Sequence, residues 1–229
     1  MKKVLLSLSL VFIMSPLHAG TITGKVSLAG AAPKNEVIQM NADPQCAIQH
    51  KGKGPILSEA VVVGPNKGIR YAFVYVKSGL EGKTFAAPKT PAVLDQLGCH
   101  YAPHVLGVQT NQPVEIRNSD PTLHNVHSLA KNNPSFNLAM PVKGMKITKT
   151  FAKPEIMIKM KCDVHPWMTT YVGVVDHPFF AVSATDGSFT LKDLPAGTYT
   201  VEVWQEKLGS KTQTVTVGAA DSKSANFSF

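Results

Sequence analysis

The sequence predicts an all-β protein, an antiparallel sandwich or barrel. Three observations lead there: apolar residues alternate at period two in many short runs, turn-forming clusters separate the runs, and no long amphipathic helix interrupts them. The runs are Ile22 to Leu28, Tyr71 to Val76, Val114 to Ile116, Ile156 to Cys162, Val172 to Val174, Tyr199 to Val203, Val215 to Val217 and Phe227 to Phe229. Successive side chains of a strand point to opposite faces, so each run offers one apolar face to a core. Between them stand Gly64-Pro65-Asn66, Asn118-Ser119-Asp120-Pro121, Asp186-Gly187 and Pro195-Ala196-Gly197, residue types that supply positive φ, a fixed φ or a local side-chain hydrogen bond. Short helical turns are expected at Pro44 to Gln49 and at Ala92 to Leu97.

The first residues have another character. Lys2 and Lys3 precede an apolar stretch from Val4 to Met14, a break at Ser15-Pro16 and small residues at Ala19-Gly20, the order of a secretory signal peptide cut after Ala19. The stretch is too short to span a bilayer, and no later segment is comparably apolar. Residues 1–19 are therefore expected to be a leader, and the remainder a soluble periplasmic protein with no membrane span.

The chain carries a formal charge of +8, and loss of Lys2 and Lys3 leaves +6. That excess favours acidic partners. Its lysines are scattered, with no basic helix and no basic ribbon studded with aromatics, so nucleic acid is not the expected partner.

Three cysteines, Cys46, Cys99 and Cys162, make an odd count for an oxidising compartment. Cys46 and Cys99 both lie in polar, turn-rich surroundings, Asp43-Pro44-Gln45-Cys46 and Leu97-Gly98-Cys99-His100, and are read as a disulfide. Cys162 is left for other work, with three free thiols the alternative.

The chemistry concentrates in Ile156-Met157-Ile158-Lys159-Met160-Lys161-Cys162-Asp163-Val164-His165-Pro166-Trp167-Met168. Alternation puts Ile156, Ile158, Met160 and Cys162 on one face, so Cys162 ends a strand with its sulfur turned inward. His165 and Met168 follow at intervals of three, close enough to converge with it on one ion. Upstream, Asn118-Ser119-Asp120-Pro121-Thr122-Leu123-His124-Asn125-Val126-His127 brings His124 from a different part of the sheet. Two imidazoles, a thiolate and a thioether describe a trigonal copper site with a weak axial methionine. The metal ligands read from the sequence are thus His124, Cys162, His165 and Met168. Asn125 is expected to tie the His124 loop to the Cys162 loop. His127, three residues along the strand, points to the opposite face. His100 and His104, flanking Tyr101-Ala102-Pro103, are read as a polar turn or as a second, weaker metal site.

These residues carry a resemblance. Leu123-His124-Asn125-Val126-His127 resembles the first-histidine motif of plastocyanin and amicyanin, and Cys162-Asp163-Val164-His165-Pro166-Trp167-Met168 has the tight spacing of amicyanin. Residues 93 to 177 are thus similar to the cupredoxins. The resemblance implies a Greek-key sandwich with one type 1 copper ion and a redox partner protein such as a cytochrome or dehydrogenase.

A second resemblance lies at the C-terminus. Thr185-Asp186-Gly187-Ser188-Phe189-Thr190-Leu191 and Leu194-Pro195-Ala196-Gly197-Thr198-Tyr199-Thr200-Val201-Glu202-Val203-Trp204 resemble the carboxypeptidase regulatory-like, transthyretin-type sandwich, whose opening strand looks like Thr21-Ile22-Thr23-Gly24-Lys25-Val26. The expected division is an N-terminal β region, residues 20–90, pairing with a C-terminal module, 178–229, around a copper domain, 91–177. Two sequential domains are the alternative.

Several classes lose support. No Cys-x-x-Cys-His attaches haem, no second cysteine in the ligand loop builds a binuclear copper centre, and hydrolase, zinc-protease and phosphate-binding motifs are missing. The leading expectation is a one-electron carrier rather than an enzyme. Copper handling without redox traffic, an adhesive or carbohydrate-binding role for the C-terminal sandwich, and catalysis at a copper with an open axial position are the competing readings.

Overall fold

The computed structural model describes residues 19–229; the expected leader, apart from Ala19, lies outside the described residues. Short strands dominate, and the one α-helix among the described residues is Pro44–His50. Asp43 caps that helix by accepting from the Gln45 N–H at 2.8 Å, with Pro44 in the first turn. The second expected helical turn is a strand instead: Ala92–Gln96 pairs in parallel with Val114–Asn118. Leu94 and Gln96 are fully buried there while Val93 and Asp95 are only half-buried, a strand period that six residues of sequence leave ambiguous.

Two β-sandwiches follow from the pairings. One joins a five-stranded sheet, in the order Phe136–Met140, His124–Ser128, Glu155–Lys161, Thr169–Val175 and Val105–Gln109, to a four-stranded sheet of Lys146–Lys149, Val114–Asn118, Ala92–Gln96 and Tyr101–Ala102. Their inner faces share one core that includes Leu94, Val108, Val114, Ile116, Val126, Met140, Met160, Val172 and Val174. The helix is pinned to this sandwich by the Cys46–Cys99 disulfide, both cysteines being fully buried.

The other sandwich is assembled from both ends of the chain. Gly20–Ser27 pairs antiparallel with Ser188–Leu194 and parallel with Ser222–Ser224 and Phe227–Ser228. Phe73–Ser78 lies between Phe180–Val182 and Gly197–Gln205, which continues to Gly209–Val217. Ile22, Val26, Val74, Val76, Leu191, Tyr199, Val201 and Val203 fill the space between the two sheets.

A third cluster, with Tyr71, Phe73, Tyr75, Val105, Met157 and Val175 at its centre, joins the sandwiches. Gly107 and Gly173 face each other on paired strands. A Cβ on Gly107 would stand 2.6 Å from the Phe180 ring, and one on Gly173 would stand 2.7 Å from Phe73. The two glycines therefore form the flat floor on which those rings rest. Alternation along Glu155–Lys161 breaks at a bulge between Glu155 and Ile158: Met157, at φ +60°, turns inward to this junction and Ile156 is left exposed. Ile156 thus departs from the inward face expected of it.

His177 stands where the chain passes between the sandwiches, and its ring is buried. Its Nε2–H donates to the Val76 carbonyl at 2.8 Å, while Nδ1 accepts from the Phe179 N–H at 3.2 Å. Both nitrogens are used by the neutral ring, and burial pushes its pKa below the ordinary 6.5, against a smaller opposing effect of Val76. The unfolded chain then binds the extra proton first, so acidification through about pH 6.5 lowers stability. Denaturant midpoints measured above and below that pH should fall on the acid side, and His177→Gln should reduce the fall. An unchanged pH dependence in the variant would refute the assignment.

Candidate metal centre

His124 opens the His124–Ser128 strand, directly opposite Met140, and Cys162 follows the last residue of Glu155–Lys161. The loop from Cys162 to Met168 closes on itself: the Cys162 N–H donates to the Met168 carbonyl at 3.1 Å, and the Met168 N–H to the His165 carbonyl at 2.9 Å. This fold-back brings His165 level with His124. The ligating atoms of His124, Cys162 and His165 all lie within 4.8 Å of one another, with Nδ1 of the two imidazoles 2.9 Å apart and the Cys162 sulfur 3.7 Å from His165 Nδ1. Each of the three is at most 1% exposed. Met168 is equally buried, in the same apolar core as Cys162.

The outer edges of both rings are held by carboxylates. His124 Nε2 lies 2.9 Å from Asp120 Oδ2, and His165 Nε2 lies 2.8 Å from Asp43 Oδ2. Asp120 also accepts from the backbone N–H groups of Gly98 and Cys99, at 2.7 Å each. Asp43 uses its other oxygen to cap the helix and accepts from the Thr122 hydroxyl at 3.1 Å. Neither aspartate was singled out as a metal-site residue in the sequence. An N–H on each Nε2 satisfies these carboxylates and leaves the lone pairs of both Nδ1 atoms facing each other beside a sulfur. Two facing lone pairs and a thiol in a dry pocket require a cation, either a proton or a metal ion.

The electrostatics of the cluster agree with this. Burial alone would push the His124 imidazole down, but hydrogen bonds and charge from Asp120 and Cys162 outweigh it and raise it to about 9. Burial would likewise push the Cys162 thiol up, yet the hydrogen bonds from His124, Asn125 and His165 bring it down to about 7. Sulfur and imidazole are the donors that suit copper.

Asn125 ties the two loops together. Its Oδ1 accepts from the Asp163 N–H at 2.7 Å and lies 3.2 Å from the Cys162 sulfur, while its Nδ2 donates to Asn137 at 2.7 Å and to Asp163 at 3.1 Å. His127 points away from the cluster and meets Asp163 at 2.9 Å. His104 is engaged by Glu206 at 2.5 Å. Among the described residues neither His100 nor His104 joins a group of three potential ligands.

The Cys46–Cys99 bridge touches this centre. Both sulfurs lie within 4.8 Å of a His165 ring nitrogen, and the Cys99 sulfur is equally close to Asp120 and His124. Trp167 covers the remaining side, its ring 5.1 Å from that of His165 and its indole N–H donating to the Cys99 carbonyl at 3.1 Å.

Comparison with protein families matches residues 168–225 to polysaccharide lyase family 4, domain II. No curated protein matches the chain. Among solved structures, a copper-containing nitrite reductase from Thermus scotoductus SA-01 is similar at 21% identity and TM-score 0.35, over 44% of this chain. The match spans only 26% of the reductase. A purple cupredoxin from Nitrosopumilus maritimus is similar at 23% identity and TM-score 0.32, over 36% of this chain and 98% of its own. An oxidised amicyanin mutant is similar at 23% identity and TM-score 0.34, over 44% of this chain and 97% of its own.

Outer contacts that orient a metal-binding histidine typically affect metal affinity by about 10–100-fold. Asp43→Ala should therefore weaken metal binding by about that factor in a competition titration with a chelator, with the fold retained. Undiminished affinity would show that Asp43 does not position His165. Cys46→Ser with Cys99→Ser opens a cross-link spanning 53 residues, and in the chain-entropy picture costs about 4 kcal/mol, readable from denaturant unfolding.

Proposed function

We propose that the protein holds one copper ion through His124, Cys162 and His165, with Met168 as the weak fourth ligand, and carries single electrons in the periplasm. The observation that carries the reading is the pair of Nδ1 atoms facing each other at 2.9 Å beside the Cys162 sulfur, each imidazole held from behind by a carboxylate. Copper in this donor set supplies a one-electron couple. The protein's part is to hold the donors still. Asp120 fixes His124 from a loop anchored on two backbone N–H groups, Asp43 fixes His165 from a disulfide-bound helix, and Asn125 locks the Cys162 loop. Ligands on a strand end and on a loop closed by its own hydrogen bonds need little movement when the charge changes, which suits electron transfer more than chemistry on a substrate.

Copper handling uses the same residues, but ligands at most 1% exposed beneath a cross-linked cover argue against facile transfer of the ion. Residues 91–177 are read as the copper domain, set between the 20–90 region and the 178–229 module. The chain's positive charge suits an acidic redox partner such as a cytochrome or dehydrogenase. Purified protein loaded with copper(II) should show an intense visible thiolate-to-copper band that bleaches on reduction and is lost in Cys162→Ser. A copper-loaded protein without that band would overturn the proposal.

A further inference from the structure

Donor atoms meet at the Cys46–Cys99 bridge as well as at Cys162. Both bridge sulfurs lie within 4.8 Å of a His165 ring nitrogen, and all three residues are at most 1% exposed. A bonded sulfur carries no charge and is a poor ligand, whereas a thiolate is a strong one for a soft cation. The oxidised chain therefore offers an ion at this point one imidazole, and the reduced chain an imidazole and two thiolates.

Two thiolates on one ion stand further apart than two bonded sulfurs, so one of them must move. Cys46 is placed to do so. It is the one buried residue of the seven-residue helix Pro44–His50. The polar holds of that helix on the sandwich are Asp43 with Thr122 at 3.1 Å and with His165 at 2.8 Å, and His50 with the Gly98 carbonyl at 2.7 Å. Local opening of so lightly held an element also gives a reductant access to the buried bridge. Cys99, by contrast, is fixed: its N–H donates to Asp120 at 2.7 Å, and its carbonyl accepts from the Trp167 indole at 3.1 Å. The Gln49 amide nitrogen, 3.9 Å from the Cys99 sulfur, is a donor that supports a thiolate there.

We propose that the dithiol form of the protein binds copper(I) through Cys46, Cys99 and His165. Reduction adds two electrons and two protons to the sulfur–sulfur bond; a dithiol supplies them and becomes a disulfide itself, and the ion then displaces both thiol protons. Thiolates select copper(I) and zinc, and three donors leave zinc one short of the four it takes in closed sites, so the monovalent ion fits better. His165 belongs to this set and to the one around Cys162, so the state of the bridge governs which sulfurs compete for that ring.

The test uses the Cys162→Ser chain, which lacks the sulfur of the other centre, so its outcome is independent of the electron-carrier reading. Tris(2-carboxyethyl)phosphine reduces the bridge, taking the oxygen of one water as it becomes the phosphine oxide, and is removed under anaerobic conditions. Thiol titration checks that both remaining cysteines are free. Copper(I) is then titrated in competition with a chromophoric chelator. The reduced chain should bind at least about a hundredfold more tightly than the unreduced chain, since each of two added donors counts for no less than the roughly tenfold of a supporting contact. X-ray absorption at the copper edge should show two thiolate sulfur neighbours, and His165→Ala should weaken binding by about tenfold or more. Equal affinity of the two forms, indifference to His165→Ala, displacement of the copper by equimolar zinc(II), or loss of the strand circular dichroism on reduction would each overturn the proposal.

Discussion

The arrangement depends on two carboxylate–imidazole contacts. A neutral histidine offers a lone pair on only one nitrogen, and the hydrogen bond made by the other decides which. Asp120 and Asp43 take the Nε2 edges of His124 and His165, so both Nδ1 atoms are turned to the same point. Without those contacts the rings could present either nitrogen, and the loop around Cys162 would close on a poorly defined set of donors. The cost of burying Asp120, and of partly burying Asp43, is offset by their other partners: two backbone N–H groups for Asp120, a helix cap and a hydroxyl for Asp43.

The two contacts differ in origin. Asp120 precedes His124 by four residues, within the Asn-Ser-Asp-Pro turn that the strand pattern already marked. Asp43 lies 122 residues from His165, in a segment outside both sheets of the sandwich that carries Cys162. The sequence shows its role as a helix cap, because capping is local. It cannot show that the remaining oxygen reaches a histidine, since that depends on where the helix is docked.

The same distinction explains what else could be read. The spacing from Cys162 through His165 to Met168 is short enough for the loop to impose proximity, and the alternating strands around it are periodic over several residues. The Cys46–Cys99 pairing followed from the odd cysteine count and the polar turns at both positions. The segment Ala92 to Leu97 was misread because six residues do not separate a helical turn from a strand when only tertiary pairing decides. The inward turn of Met157 was hidden for a similar reason: a bulge shifts the alternation by one residue, and its cause is the aromatic junction of Phe73 and Gly173 with a distant part of the chain.

The Cys46–Cys99 bridge has a bearing on the order in which the molecule matures. It carries the helix that supplies Asp43, and it touches His165. With those thiols reduced, the helix keeps only its non-covalent contacts to the sandwich, such as Asp43 with Thr122 and His50 with Gly98, and two further soft sulfurs stand beside the ligand cluster as competing donors. Oxidation removes the competitors and seats the carboxylate in one event. The definition of one donor set from His124, Cys162 and His165 is in this way tied to the redox state of two cysteines that are not themselves part of it.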